Sequence, residues 1–300
     1  MPQGSILGPL LFLLYVNNLA NISDKLKFIL FADDTNVFYS SKELNDVTRV
    51  FNEELIHMSI WFKVNKLSLN LSKTNYMIFG SGVNESVYLS IDGVNIERVT
   101  VTKFLGVQVD EKLSWKEQIN SVYRNVSKGL SILYKVRNIL ESKLLYTLYC
   151  SLILPYFNYA CEIWGNTFDS HINKLILLQK RIIRVIDKAD YRDHTNPLFV
   201  KYNCLKFKDI VNLKTLVVVF KAKHNLLPFN VQKLFTENHC IHTYNTRSSS
   251  KGNFITKYCR TKLRSMNVSF RGIKLWNELD ESFHNISSIA SFKKKTKHLF

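Results

Sequence analysis

The sequence is short of acidic side chains, with 24 Asp+Glu against 41 Lys+Arg and a formal net charge of +17. It has no CxxC pair, and its five cysteines, at positions 150, 161, 204, 240 and 259, are odd in number and scattered. That pattern excludes a disulfide framework and fits reduced thiols in an intracellular protein. A zinc site built from His239, Cys240, His242 and Cys259 lacks finger-like spacing, because three of the four crowd into four positions. Low-complexity tracts and internal repeats are absent too. No stretch makes a convincing targeting signal: "ILGPLLFLLYV" (6–16) has no basic residue ahead of it and is interrupted by Gly8-Pro9. The uncharged run "LLYTLYCSLILPYFNYAC" (144–161) is long enough for a membrane span, yet it is rich in Tyr and carries Pro155 mid-span. A buried helix pair is the expectation there.

What is present describes a globular chain. Of 300 residues, 46% are hydrophobic, and mean hydropathy is −0.07. Basic charge is unevenly placed. Residues 1–80 hold seven basic and seven acidic side chains, residues 81–150 nine and seven, and residues 151–300 twenty-five and ten. A neutral first part followed by a strongly basic second half suggests a chemical site followed by a surface that grips a polyanion or faces a membrane.

Along the chain, Pro9 suits the first turn of a helix reaching about Leu19, which is apolar nearly all round and so expected to be buried. "KLKFILF" (25–31) and "TNVFYS" (35–40) read as strands joined tightly by Ala-Asp-Asp. Ser40 and Glu43 have capping-box spacing. Leu44, Val47, Phe51, Leu55, Met58 and Phe62 then follow at helical intervals. Strands are expected at 67–71, 75–79 and 103–109, with a hairpin turning at Asp92-Gly93. From about Trp115 the pattern is helical, over 116–140, 142–163 and 170–187 and again after 205. The switch near residue 112 is the expected domain boundary, and "TRSSSKGN" (246–253) reads as a flexible linker.

Asp33 and Asp34 stand between two apolar, β-branched runs. A carboxylate beside a buried strand is costly unless compensated. An Asp pair in a turn bonding its own backbone is one reading. A site for a hard divalent cation is the other. The neighbouring residues separate the two. "PQGSILGPLLF" (2–12), "YVNNL", "FADD", "LSLNLSKTNYMIF" and "FLGV" follow one another in an order and spacing that resemble the reverse transcriptases of non-LTR (LINE-like) retrotransposons. "YNTRSSS" (244–250) and "WNELD…SFKKKTKHLF" (276–300) resemble that family's C-terminal regions.

The resemblance implies an α+β fold. A partial polymerase palm, an antiparallel sheet with packed helices, would occupy residues 1–112. A helical thumb over 113–245 and a basic C-terminal region over 246–300 would follow. It implies two-metal nucleotidyl transfer using Mg²⁺ or Mn²⁺ on an RNA template and DNA primer. Asp33 matches the metal-binding aspartate and Asp34 its supporting neighbour, with Phe31 where many relatives have Tyr. Gln3 and Gly4 match the loop lining the incoming nucleotide and template. Lys73 matches a lysine near the triphosphate, and reads equally as an exposed turn lysine. Phe104, Leu105 and Gly106 match a hairpin gripping the primer strand, though an apolar strand with a glycine bulge reads the same way.

In helix 170–187, Lys174, Arg181, Arg184 and Lys188 lie within about 80° of one another at helical spacing, a stripe suited to a phosphate backbone or to plain solvation. Lys293, Lys294, Lys295 and Lys297 have the same two readings. Asn18 stands where relatives often have Asp. The family's fingers and an earlier palm strand with its own metal-binding aspartate are expected ahead of "PQG". The chain by itself is therefore expected to be inactive as a polymerase, with a non-catalytic RNA- or DNA-binding remnant as the alternative. A non-functional product with an open sheet edge is a third reading.

Overall fold

The computed structural model describes residues 4–80, 87–238 and 252–300. Gln3, the 244–250 motif and three of the four zinc candidates (His239, Cys240 and His242) lie outside the described residues. The chain divides into two compact units, Met1–Thr102 and Lys103–Phe300.

The first unit opens with α1 (Leu7–Val16), which runs into a 3₁₀ segment, Asn17–Ile22. The expected burial of this helix is not observed. Leu7, Leu10, Leu11, Leu13 and Leu14 face solvent, and Val16 is its one buried residue. A helix apolar on every side needs neighbours on every side, and the described part of this unit does not surround it.

β1 (Lys27–Phe31) and β2 (Asp34–Phe38) form an antiparallel hairpin. Phe28 and Leu30, with Val37 across the ladder, pack towards a core formed with α2 (Leu44–Val64). On α2, Val50, Leu55, Met58 and Phe62 are buried, as the helical spacing predicts. The capping box does not form. Glu43 is the N-cap with no side-chain cap bond, and the nearby hydroxyl contact is Ser41 Oγ accepting from the Glu43 N–H at 3.4 Å.

The strand expected over 67–71 is irregular. Leu67, Leu69 and Leu71 still pack on the core, so their alternation reports burial without a ladder. The strand expected over 75–79 shortens to β3 (Asn75–Tyr76), which pairs in parallel with β6 (Glu97–Arg98). Between them, β4 (Ser90–Ile91) and β5 (Val94–Asn95) make the expected hairpin. Its turn, Asp92-Gly93, has φ values of 51° and 78°, the signs of a type I′ turn. Asp92 also accepts from Ser59 at 2.8 Å and from Lys63 at 2.7 Å, which clasps this hairpin to α2.

The single strand expected over 103–109 is a hairpin instead. β7 (Val101–Phe104) and β8 (Val107–Asp110) pair through Leu105-Gly106, at φ 45° and 82°. Two consecutive left-handed residues reverse the chain, so the glycine marks a turn and not a bulge.

The second unit is helical. α3 (Lys116–Val136) and α7 (Asp169–Asp187) form where expected and pack on each other. The helix expected over 142–163 breaks into α4 (Ser142–Leu152), α5 (Leu154–Asn158) and α6 (Cys161–Trp164). Pro155 fits only the first turn of a helix, so it opens α5, and Ala160 at φ 49° separates α5 from α6. Tyr149, Ile153 and Phe157 are buried while Leu144, Leu152, Tyr156 and Tyr159 are exposed, so in place of the expected buried helix pair the stretch forms three short helices with one buried side. Among the described residues no helix is long and apolar enough to cross a membrane.

After α8 (Asn196–Lys201), helix α9 (Phe207–Lys223) joins two apolar clusters. Phe207, Ile210 and Val211 belong to the cluster of α3 to α7. Leu216, Val219 and Phe220 belong to one with α12 (Val268–Asn277), α13 (Glu281–His284) and α14 (Ile289–Lys297). Two short helices, α10 (Phe229–Gln232) and α11 (Lys262–Met266), complete the described elements.

Candidate active site and nucleic-acid interface

In the β1–β2 ladder Phe31 pairs with Asp34, so the turn consists of Ala32 and Asp33 alone. Ala32 has φ 51°, a left-handed conformation costing an L-residue about 1–2 kcal/mol. Strain of this kind gathers where a side chain must be aimed. Both aspartates are exposed, and among the described residues no hydrogen bond or ion pair occupies either side chain. The desolvation penalty expected from buried flanking strands is therefore not incurred. Phe31 is 59% exposed and Ile29 48%, so the hairpin has one face on the core and an apolar face in the open.

The two carboxylates are hard oxygen donors, which suits Mg²⁺ in kind. They fall short in number, since among the described residues no three His, Cys, Asp or Glu side chains converge to hold a metal. Asp46 is committed elsewhere, accepting from Arg49 at 2.7 Å and Tyr39 at 2.9 Å. Hydrogen bonds from Ser41, Tyr39 and Arg49 hold its carboxyl below the usual range. Gly4 is exposed at φ 91° with nothing within 4 Å of the place a Cβ would take, so its backbone is open to close approach. Lys73 lies exposed in the turn after Asn70, whose carbonyl accepts from its backbone N–H at 3.1 Å. Among the described residues no hydrogen bond or ion pair links Gly4, Lys73 and the two aspartates.

In the second unit, three groups that sequence reasoning missed hold the β7–β8 hairpin. The Asp110 carboxylate accepts from the N–H groups of Lys112, Ser114 and Trp115, at 3.2, 3.0 and 2.8 Å, which fixes the path from β8 into α3. Gln118 Oε1 on α3 accepts from the Gln108 N–H at 2.9 Å. Tyr159, between α5 and α6, donates its hydroxyl to the Leu105 carbonyl at 2.6 Å. Asp110 was legible as a turn residue before a helix. Nothing in the local pattern marks Tyr159, which lies 54 positions from its acceptor.

The stripe on α7 divides. Ile172, Leu175, Ile182, Ile183 and Ile186 are buried on the helix's apolar side. Lys174 is drawn inward, donating to Asn120 and lying 5.7 Å from the centre of the Tyr123 ring, and burial lowers its pKa. Arg184 donates to the Asp193 carbonyl at 2.9 Å and stands 6.0 Å from the Tyr191 ring. Arg181 is exposed, and so is Lys188, the left-handed C-cap residue of α7 at φ 57°. Two of the four cations thus face solvent without being drawn into such contacts.

Residues 1–109 match the family described as "Reverse transcriptase (RNA-dependent DNA polymerase)". Three relatives from Drosophila melanogaster align with roughly two thirds of the chain. The "Probable RNA-directed DNA polymerase from transposon X-element" is 27% identical over 200 residues, 64% of this chain and 22% of that protein. The "Probable RNA-directed DNA polymerase from transposon BS" is 28% identical over 206 residues, with the same two shares. The "RNA-directed DNA polymerase from mobile element jockey" is 26% identical over 208 residues, 66% of this chain and 23% of that protein. The chain thus spans under a quarter of the length of these relatives. No solved structure matches it. The segment similar to reverse transcriptases thus contains the acidic hairpin, and the similarity to transposon RNA-directed DNA polymerases extends beyond it.

Proposed function

We propose that this chain supplies the metal-presenting hairpin and the duplex-gripping helices of an RNA-directed DNA polymerase. Residues 1–112 would be a palm piece, 113–245 the thumb and 246–300 a basic C-terminal region. The observation that carries the reading is the hairpin tip: two exposed carboxylates, unengaged among the described residues and aimed by a strained two-residue turn. Asp33 would ligate a divalent ion and Asp34 would support it. Mg²⁺ or Mn²⁺ supplies acidification of the primer 3′-hydroxyl and neutralisation of the leaving pyrophosphate.

Gln3 and Gly4 would line the template and incoming nucleotide, Gly4 through a backbone open to close approach. Lys73 would place its ammonium near the triphosphate. The turn at Phe104, Leu105 and Gly106 would meet the primer strand. Arg181 and Lys188 would follow the phosphates of an RNA–DNA hybrid, while Lys174 and Arg184, engaged within the protein, would contribute less. A pair of ions needs more carboxylates than the hairpin offers, so these 300 residues alone would not polymerise. A further carboxylate would come from residues beyond them. The exposed leucines of α1 and the open hairpin face, with Ile29, Phe31 and Phe38, suit burial against such a segment.

A non-catalytic RNA- or DNA-binding role is the second reading, favoured by the basic second half. Primer extension with Mg²⁺, run beside filter binding at several salt concentrations, tests both. Extension by a version joined to its upstream coding region, lost on Asp33→Ala, supports the polymerase. Extension by the 300 residues alone, lost on the same substitution, overturns the need for a further carboxylate. Binding that weakens steeply with salt while every version fails to extend supports the second reading.

A further inference from the structure

We propose that Tyr159 is a positioning residue: its hydroxyl tether holds the Leu105-Gly106 turn in the shape that meets the primer strand. The inference rests on reading that turn as a primer contact. The turn needs holding. Leu105 sits at φ 45°, where an L-residue is strained, and Gly106 follows at φ 82°. A two-stranded hairpin is marginal by itself. Asp110 and Gln118 secure its distal end and β8, which leaves the tip to another contact.

Tyr159 supplies that contact in two ways. Its hydroxyl donates to the Leu105 carbonyl at 2.6 Å. Its ring edge lies alongside Gly106, so that a Cβ there would stand 3.4 Å from Tyr159 Cε1. A Cβ would meet the ring at ordinary contact distance, so the ring packs against the turn, while φ 82° is what favours glycine there.

The tyrosine is itself anchored. Its carbonyl accepts from Trp164 Nε1 at 2.9 Å, and its N–H donates to the Pro155 carbonyl at 2.9 Å. Trp164 is fully buried and stacks on Phe207 at 5.5 Å. A continuous path thus runs from the helical core through Trp164 and Tyr159 to the hairpin tip. Tyr159 remains 55% exposed, so the residue does not serve chiefly to fill the core. A residue that only filled the core would be as well served by phenylalanine. Among the described residues the partner of the hydroxyl is the turn.

Tyr159→Phe isolates the tether in the full 300-residue chain, since it keeps the ring and removes one oxygen. Amide exchange over residues 103–108 should accelerate about three- to ten-fold, the range expected for one lost hydrogen bond. Affinity for an RNA–DNA hybrid with a recessed primer 3′ end should fall several-fold, while affinity for a blunt hybrid stays unchanged, a distinction that mere loosening of the fold would not produce. Gly106→Ala should also disturb the turn, because alanine is strained at φ 82°, and so gives a reference for a distorted turn with the tether still present. Unchanged exchange in Tyr159→Phe overturns the tether. Accelerated exchange with equal losses, or none, on the two hybrids leaves the tether intact and overturns the primer reading of the turn.

Discussion

Phe31 stands opposite Asp34 as the last pair of the β1–β2 ladder, which forces Asp33 to the tip with Ala32 as its sole companion in the turn. The ring is exposed on the same face of the hairpin as the Asp34 carboxylate, so the acidic tip sits at the end of an open apolar surface.

Ala32→Gly should stabilise the first unit by about 0.5–1 kcal/mol, because glycine adopts a left-handed φ without the Cβ clash. Asp33→Ala should leave stability within about 0.5 kcal/mol, as expected of an exposed residue without partners among the described residues. Urea unfolding of both variants checks the pair. A large loss in Asp33→Ala would mean the aspartate holds the turn.

Asp92 confers an acid-side dependence on the first unit. Hydrogen bonds from Lys63 and Ser59 hold its carboxyl below the ordinary carboxylate value. The associated stability is fully present above the unfolded-state pKa and is lost as pH falls through the depressed folded value. Asp92→Asn keeps a residue suited to the I′ turn and should flatten the dependence of stability on pH below about 4. Denaturant midpoints measured across that range decide it.

Gly129 is buried in α3, where a Cβ would stand 2.5 Å from Ile153 Cγ1. Alanine gains up to about 1 kcal/mol in helix propensity. The fully buried Ile153 has no room to yield, however, and overpacking costs about 1–3 kcal/mol. Gly129→Ala should therefore destabilise the second unit, read as a lower thermal midpoint. A raised midpoint would show that Ile153 yields to the added methyl group.

On α7 the four basic residues should behave differently. Arg181→Ala and Lys188→Ala should each weaken hybrid binding evenly across sequences and reduce the salt slope by about 1. Lys174→Ala should leave that slope nearly unchanged, since its ammonium is spent on Asn120 and Tyr123. Filter binding between low and moderate salt separates the two classes.

Much of this architecture was written locally. The faces of α2 and α7 follow from residue spacing, because a helix repeats its environment every 3.6 residues and one side must be buried. The turns near Ala32-Asp33 and at Asp92-Gly93 follow from aspartate and small residues between apolar runs, although Asp34, expected in the first turn, joins the ladder. Leu67, Leu69 and Leu71 alternate as a strand would, yet join no ladder, because a strand exists only where a partner offers its backbone groups. The segment 103–109 became two strands for a related reason: left-handed φ at Leu105 is a reversal that sequence pattern does not display. The exposure of α1 was hidden too, since apolar spacing states what a helix would bury against and not whether a neighbour is there.

Sequence alone determined the family likeness, the acidic hairpin and the basic second half, all of which reside in residue identity and order. Tertiary structure alone decided which cations on α7 remain open and which side chain holds the Leu105 turn. Those outcomes depend on partners such as Asn120, Asp193 and Tyr159, brought close by packing from positions that no local periodicity connects.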